Sequence, residues 1–308
     1  MGIDNYQLSK IARLYYDAGL TLKQIGERMN VSIATVSRSL VEARRRGIVK
    51  ITVSDELEDF RNLESSIEEK YGLEECRIVS SSDRVEDVYR EMASALGQTL
   101  RRILKPGMLV GLSWGHTLKS IGEYLPPLHR AKCDTIPILG AIGAVETGLF
   151  PNAISRSFAD RLGGKSYLVN APAILDSKNM RETIEMESMF RPIRQKWDEV
   201  DVVLLSVSGL DRKASVSRYG ILERSWMDEL VHLGTVCATN FIMLDAEGRE
   251  VQNEITDRLL RLSLPSLLKV RKKIVLSFGK AKCVAIGAAL RGGVATALIT
   301  DYDTAAGL

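Results

Sequence analysis

Two regimes of apolar and polar positions follow one another along the chain. In the first fifty residues Leu8, Ile11, Leu14, Tyr15 and Ala18 recur at helical spacing, and Gly19 closes that segment. Thr21 with Gln24 three residues later is a capping box, so a second helix starts there and runs to about Met29. Asn30 tolerates the left-handed backbone of a tight turn. Ser32 can cap a third helix, Ile33 to about Arg45, whose Val36, Leu40 and Ala43 face Ile25 and Met29. Two short helices, a turn of three or four residues and a shared apolar core make a helix-turn-helix. Gly47 ends the third helix, and Ile48–Val53 reads as β structure, consistent with a wing.

Residues 55–71 place Leu57, Phe60, Leu63, Ile67 and Tyr71 on one helical stripe. Such a linker helix can pair between subunits or pack on its own domain. Beyond Gly72, short apolar runs alternate with amphipathic segments. The runs predict strands at Arg77–Ser80, Leu109–Ser113, Thr135–Leu139, Tyr167–Asn170, Val202–Val207, Val236–Ala238, Ile274–Ser277 and Ala297–Thr300. The segments predict helices at Val85–Leu104, Leu118–Leu125, Ile154–Leu162, Thr183–Trp197, Ser225–Leu233 and Cys283–Leu290. That alternation implies an α/β domain with a mainly parallel sheet. The expected division is a helix-turn-helix over 1–54, a linker helix over 55–72 and a larger α/β domain over 73–308.

Charge follows the same division. Residues 1–50 hold nine Lys or Arg against four Asp or Glu, although the whole chain of 308 residues carries only +3. A basic head on a faintly acidic body is the pattern of a nucleic-acid-binding module attached to something else, though it also fits a solvated helix face. On the third helix, Ser32, Thr35, Ser37 and Arg38 are placed to reach base edges in the major groove of double-stranded operator DNA. Arg38 suits bidentate contact with guanine, and Arg44, Arg45, Arg46 and Lys50 suit phosphates. Thr21, Gln24, Ile33 and Val36 complete the set assigned to that face.

Cys76, Cys133, Cys237 and Cys283 lie far apart, so they read as reduced core residues rather than a disulfide framework or zinc site. The longest apolar stretches are short or broken by Arg291 and Gly292, and no basic region precedes an apolar run at the start. A cytoplasmic protein with no membrane span, metal or cofactor is expected. In the α/β region ligands are sought just after strands. Gly111–Thr117 runs from a strand through a glycine turn into a helix start, where backbone N–H groups with Ser113 and Thr117 can cradle a phosphate. Such turns also serve simply to join strand and helix. His116 suits a ligand hydrogen bond. Ser208, Asp245 and Lys282 each follow an expected strand; Asp245 can equally be a turn former before Gly248, and Lys282 a solvated residue. The large motif-defined enzyme classes find no signature here.

Four stretches carry a family resemblance: LTLKQIGERMNVSIATVSRSLVEARRRGIVKI, GLSWGHTL, FIMLDAEG and GKAKCVAIGAALRGGVATALITDYDTA. In them the chain resembles the SorC/DeoR-type sugar-binding transcriptional regulators of bacteria. The resemblance implies a winged helix-turn-helix joined to an effector domain similar to sugar-phosphate isomerases and deaminases. It also implies a homo-oligomer, usually a tetramer, whose DNA affinity responds to a phosphorylated sugar. Its pocket residues would fall on Gly115, His116, Thr117, Asn152, Arg218, Asp245 and Lys282. Three places depart from the family pattern: Ile33-Ala34 stands where the recognition helix often has Arg-Pro, so an arginine suited to bases or phosphates is missing; Ser206-Val207-Ser208 replaces G-x-G; and Leu139 stands where deoxyribose-phosphate responders have lysine. The expectation is a regulator, a repressor relieved by a sugar, sugar phosphate or polyol. The alternative is a sugar-phosphate isomerase or deaminase-like enzyme, for which Asp211 is the one carboxylate in the relevant loop.

Overall fold

The computed structural model describes residues 4–49, 55–142, 150–210 and 223–308. Contacts divide the chain into two units, Met1–Asp59 and Phe60–Leu308.

The first unit contains α1 (Asn5–Tyr16), α2 (Leu22–Met29) and α3 (Ile33–Arg45). Thr21 and Gln24 form the expected box: the Gln24 N–H donates to Thr21 Oγ1 and the Thr21 N–H to Gln24 Oε1. Ser32 Oγ accepts from the Thr35 N–H and so caps α3. Asn30 turns the chain between the two helices at φ +54. Ile11, Ala12, Ile25, Val36 and Leu40 close a core among the three helices. Of the expected wing, positions 50–54 lie outside the described residues, and Ile48 and Val49 form a bend rather than a strand.

α4 (Asp55–Tyr71) crosses from one unit to the other. The second unit continues with β1 (Glu75–Val79), α5 (Val85–Ile103), β2 (Leu109–Leu112), α6 (His116–Tyr124), β3 (Asp134–Pro137) and α7 (Pro151–Leu162). Next come α8 (Lys178–Met186), α9 (Arg191–Asp198), β4 (Val202–Leu205), α10 (Arg224–His232), β5 (Cys237–Thr239) and β6 (Ile242–Leu244). The chain ends with α11 (Glu254–Asp257), α12 (Leu264–Lys269), β7 (Lys272–Leu276), α13 (Cys283–Arg291), β8 (Ala297–Asp301) and α14 (Tyr302–Ala305).

Six strands form one sheet in the order β1-β8-β7-β4-β2-β3, with every pairing parallel. Both faces are covered, so the central strands β2 and β4 are apolar and buried throughout and successive side chains enter opposite cores. Val202 and Leu204 pack with α5 and α6 residues such as Leu96 and Leu118; Val203 and Leu205 pack with Ile67, Ile286 and Leu290 on the other side. β5 and β6 form a separate antiparallel hairpin.

Two expected elements differ. Thr183–Trp197 is two helices, because Pro192 has no N–H to donate and its ring excludes a helical carbonyl four residues back; it starts α9 instead. Tyr167–Asn170 forms no strand: after a bridge from Thr135 to Ser166, the backbone of Val169 is satisfied by the Asn152 amide. Among the described residues no helix is long and apolar enough to cross a membrane. Cys76, Cys133 and Cys237 are buried free thiols, with burial pushing Cys133 up to about 11 and Cys237 to about 12.

From Phe60 onward α4 packs on the second unit. Phe60 stacks on Tyr302 at 5.0 Å, and Ile67 joins the core. β1 is an edge strand, whose unpaired N–H groups invite association with other strands. Here Glu68 accepts the Cys76 N–H at 2.6 Å and Glu64 the Ile78 N–H at 2.8 Å. Burial raises the Glu64 pKa above the ordinary glutamate value, against the lowering effect of that hydrogen bond and of Arg77. The folded state therefore binds this proton more tightly than the unfolded chain, so ionising Glu64 removes stability as pH rises through the carboxylate range. Glu64→Gln keeps an acceptor for Ile78 without the charge. Its thermal midpoint at pH 7 is expected above that of the parent protein, with the difference shrinking below the ordinary glutamate pKa.

Candidate functional site

On α3 the exposed stripe is Ile33, Ala34, Ser37, Arg38 and Val41, continued by Arg44 and Arg45. Ser32 is also exposed, and Thr35 is half-buried behind it. Val36, counted above with the DNA-facing set, is fully buried in the three-helix core and presents nothing outward. Its neighbours at helical spacing, Leu40 and Ala43, had already marked that side as core. Thr21 and Gln24 are exposed but hold each other in the capping box. Ala34 and Val41 were missed because they are apolar; methyl groups on such a stripe suit thymine. Arg38 is exposed, and its Nε donates to the Ala34 carbonyl at 3.3 Å. Lys50 lies outside the described residues.

The three consecutive arginines are unequal. Glu42 takes Arg45 through two hydrogen bonds of 2.7 Å and Arg46 through one of 2.6 Å, and Arg46 also donates to Asn5. Arg44 has no ion pair among the described residues. The two guanidinium groups hold the Glu42 carboxyl at about 2, well below the usual range. A lowered carboxylate pKa means a contact complete above the unfolded value of 4.5 and lost as pH falls through about 2.

In the second unit the crevice lies where the connections diverge. From β2 the chain goes through α6 to β3 on one side; from β4 it goes on to β7 on the other. A cavity of 180 Å³ occupies this switch point, which is where open parallel sheets bind ligands. From β2 come Trp114, Gly115, His116 and Thr117; from β4 come Ser206, Val207 and Ser208; beyond β7 comes Lys282. The hairpin gives Ala238, Asn240 and Phe241, and α5 gives Tyr89.

Gly115 is the N-cap of α6 at φ +121, and a Cβ there would stand 3.1 Å from Ser206 Oγ. No side chain caps this helix start, so its first N–H groups are directed at whatever enters, together with the positive end of the helix dipole. Ser206 Oγ donates to the Trp114 carbonyl at 2.7 Å and fixes the turn from below. The Tyr89 hydroxyl is hydrogen-bonded to the side chains of Thr117 and Ser120, and burial raises its pKa. Tyr89 packs edge-on against Phe278, with Lys282 Nζ 6.0 Å from the same ring. The two backbone hydrogen bonds between Ser208 and Ala238 tie the β4 loop to the hairpin. No carboxylate lines the cavity among the described residues.

Of the residues singled out in the sequence, Gly115, His116, Thr117, Ser208 and Lys282 meet here. Ser113 lies just beneath, fully buried, with an Oγ that has no partner among the described residues. Asn152 lies elsewhere, its amide spent on the Val169 backbone. Asp245 is a turn former: its Oδ1 accepts from the N–H groups of Glu247 and Arg249, and it does not line the cavity. Arg218 and Asp211 lie outside the described residues. Sequence reasoning missed Tyr89, Trp114, Asn240 and Phe241. Only topology could bring Tyr89 here, but Asn240-Phe241 between two short apolar runs was a readable hairpin turn.

Comparison with known proteins gives both units close counterparts. The family model described as "Putative sugar-binding domain" matches residues 55–308, and that for "Sigma-70, region 4" matches residues 9–46. The chain is 30% identical over 305 residues to the sorbitol operon regulator of Klebsiella pneumoniae, covering 96% of this chain and 95% of that protein. It is 28% identical over 312 residues to the deoxyribonucleoside regulator of Bacillus subtilis, covering 100% and 99%. The crystal structure of the full-length sorbitol operon regulator SorC from Klebsiella pneumoniae superposes with a TM-score of 0.75 at 28% identity, over 99% of each chain.

Glu42→Gln removes the internal counter-charge from Arg45 and Arg46. Its affinity for DNA of arbitrary sequence at low salt is expected to rise several-fold, with a steeper fall as salt increases, measured by fluorescence anisotropy.

Proposed function

Because the chain belongs to the SorC/DeoR family of sugar-binding transcriptional regulators, we infer that its pocket holds a phosphorylated sugar or polyol that sets the affinity of the helix-turn-helix for operator DNA. The chain is a DNA-binding regulator of carbohydrate metabolism, not an enzyme. The observation that carries the effector reading is the cavity itself: an uncapped helix start at Gly115, Lys282 beside it, and no lining carboxylate among the described residues. Fixed N–H donors and a lysine suit a phosphate. Isomerase or deaminase chemistry needs a general base at the substrate carbon, and no described residue of the cavity supplies a carboxylate for it. Leu139, where the resemblance places a lysine in deoxyribose-phosphate responders, is a buried leucine, so a Schiff base does not form there.

On the DNA side Arg38 reads a guanine, Ser32, Thr35 and Ser37 take bases or phosphates, and Arg44 with Arg45, Arg46 and Lys50 supplies salt-dependent affinity. The protein acts in the cytoplasm as a homo-oligomer, a tetramer, that represses until effector binds. Residues 1–54 serve DNA, 55–72 link, and 73–308 bind effector and oligomerise. Binding shifts the population between two arrangements of the oligomer, and a coupling of about 1–3 kcal/mol changes operator affinity about 5–150-fold.

The test is binding of the full chain to DNA from upstream of its own gene cluster, with and without inorganic phosphate, D-sorbitol 6-phosphate and D-fructose 6-phosphate. Arg38→Ala is expected to lose about tenfold in specific affinity while retaining non-specific binding. Gly115→Ala, strained at φ +121, is expected to bind operator normally and lose the response to effector. Operator binding unmoved by any of the three ligands would overturn the reading of the pocket.

A further inference from the structure

The β5–β6 hairpin turns through Asn240 and Phe241 alone, with Thr239 paired to Ile242. A two-residue hairpin turn with positive φ at both central positions favours Asn followed by Gly. Here φ is +50 at Asn240 and +57 at Phe241. Asparagine accepts that conformation readily; a phenylalanine in it is strained. Glycine would relieve the strain, yet the ring is buried and stacks on Trp114 at 5.5 Å and 16°. Trp114 immediately precedes Gly115, so Phe241 fastens the hairpin tip beside the turn that starts α6.

Asn240 shows a second departure from local preference. It is only 3% exposed, and its Nδ2 donates to the Ile138 carbonyl at 3.1 Å. That bond fixes which end of the amide faces which way. Oδ1 is left covered and without a hydrogen-bond partner among the described residues. A buried carbonyl oxygen without a donor is costly to the fold. Strain and an orphaned acceptor on adjacent residues of one cavity wall mark a segment shaped by binding rather than by folding.

We propose that Asn240 reads the carbon skeleton of the effector: Oδ1 accepts a hydrogen bond from a hydroxyl of a phosphorylated polyol or sugar whose phosphate sits at Gly115–Thr117. The assignment rests on the reading of this cavity as the effector site. One of the two Nδ2 hydrogens is held by the Ile138 carbonyl, and the atom of the amide without a partner among the described residues is the acceptor, Oδ1. It selects a hydroxyl, which can donate, over a keto or ether oxygen, which cannot. Asparagine supplies the acceptor without placing a negative charge beside the phosphate. The stacking of Trp114 on Phe241 sets the two turns side by side, so the hydroxyl that is read belongs to a carbon near the phosphoester.

The test is calorimetric titration of the full chain with inorganic phosphate, D-sorbitol 6-phosphate and D-fructose 6-phosphate. Asn240→Gly keeps the left-handed turn and removes the amide. It is expected to bind inorganic phosphate within twofold of the parent protein, while the preference of the better sugar phosphate over inorganic phosphate falls about tenfold. Asn240→Asp, which keeps the acceptor and adds a charge, is expected to weaken all three ligands. Operator binding without effector reports that each variant is folded. An unchanged preference in Asn240→Gly overturns the role of Asn240 while leaving the pocket reading intact. No binding of any of the three ligands by the parent protein overturns the pocket reading, and this assignment with it.

Discussion

A parallel sheet covered on both faces must somewhere send the connections of neighbouring strands in opposite directions, and that place is the one gap in its upper edge. Here it falls between β2 and β4, which are hydrogen-bonded neighbours whose chains leave toward β3 and β7 respectively. Between β2 and β4 the Trp114–Thr117 turn and the Ser206–Ser208 loop part, and the β5–β6 hairpin closes the gap by pairing Ala238 with Ser208. The cavity is therefore a consequence of strand order before it is a consequence of any side chain.

The same constraint explains why two separated stretches carry the family resemblance together. α13 is held at both ends. At its beginning the Gly279 N–H donates to Thr304 Oγ1 and Cys283 Sγ lies against the Thr304 carbonyl. At its end Arg291 Nε donates to the Ala246 carbonyl, and Gly248 backs onto Gly292 so closely that a Cβ on either would meet the other's backbone at 2.2 or 2.5 Å. Asp245 shapes the turn that delivers Gly248 to this contact, through hydrogen bonds to Glu247 and Arg249. The aspartate thereby helps fix the C-terminal end of α13, the helix whose N-cap is Lys282. An Asp that the resemblance places in a ligand pocket shapes, in this chain, the turn that meets the C-terminal end of α13.

What could be read in the sequence was whatever is decided locally. α2 and α3 have the bounds expected from Thr21, Gln24, Asn30 and Ser32, because capping groups act within four residues. The buried strands announced themselves as apolar runs. Pro192, which divides the expected Thr183–Trp197 helix, is an equally local signal. What could not be read was decided across the chain: that Asn152 mimics a strand partner for Val169, or that Tyr89 on α5 reaches the turn at Thr117. Half of the cavity wall was legible because ligands gather after strands. The other half, Tyr89 and the hairpin tip, depends on pairings between residues far apart in sequence.

Under the function proposed above, the two units would meet their anions by different physics. The α3 face offers exposed arginine side chains, two of them already shared with Glu42, and its attraction to DNA is a sum over charges screened within a Debye length. The cavity offers backbone N–H groups fixed by Gly115 and Ser206, with a lysine braced against Phe278. Enclosed donors of this kind are screened far less, and their selectivity comes from geometry. On that reading, rising salt erodes operator affinity steeply and leaves recognition of an enclosed phosphate less affected. Linkage requires only that effector change the affinity for DNA by the same factor as DNA changes the affinity for effector. A receptor that meets one anion by number of charges and the other by shape can keep that factor fixed while the absolute affinity for DNA follows the ionic conditions around it.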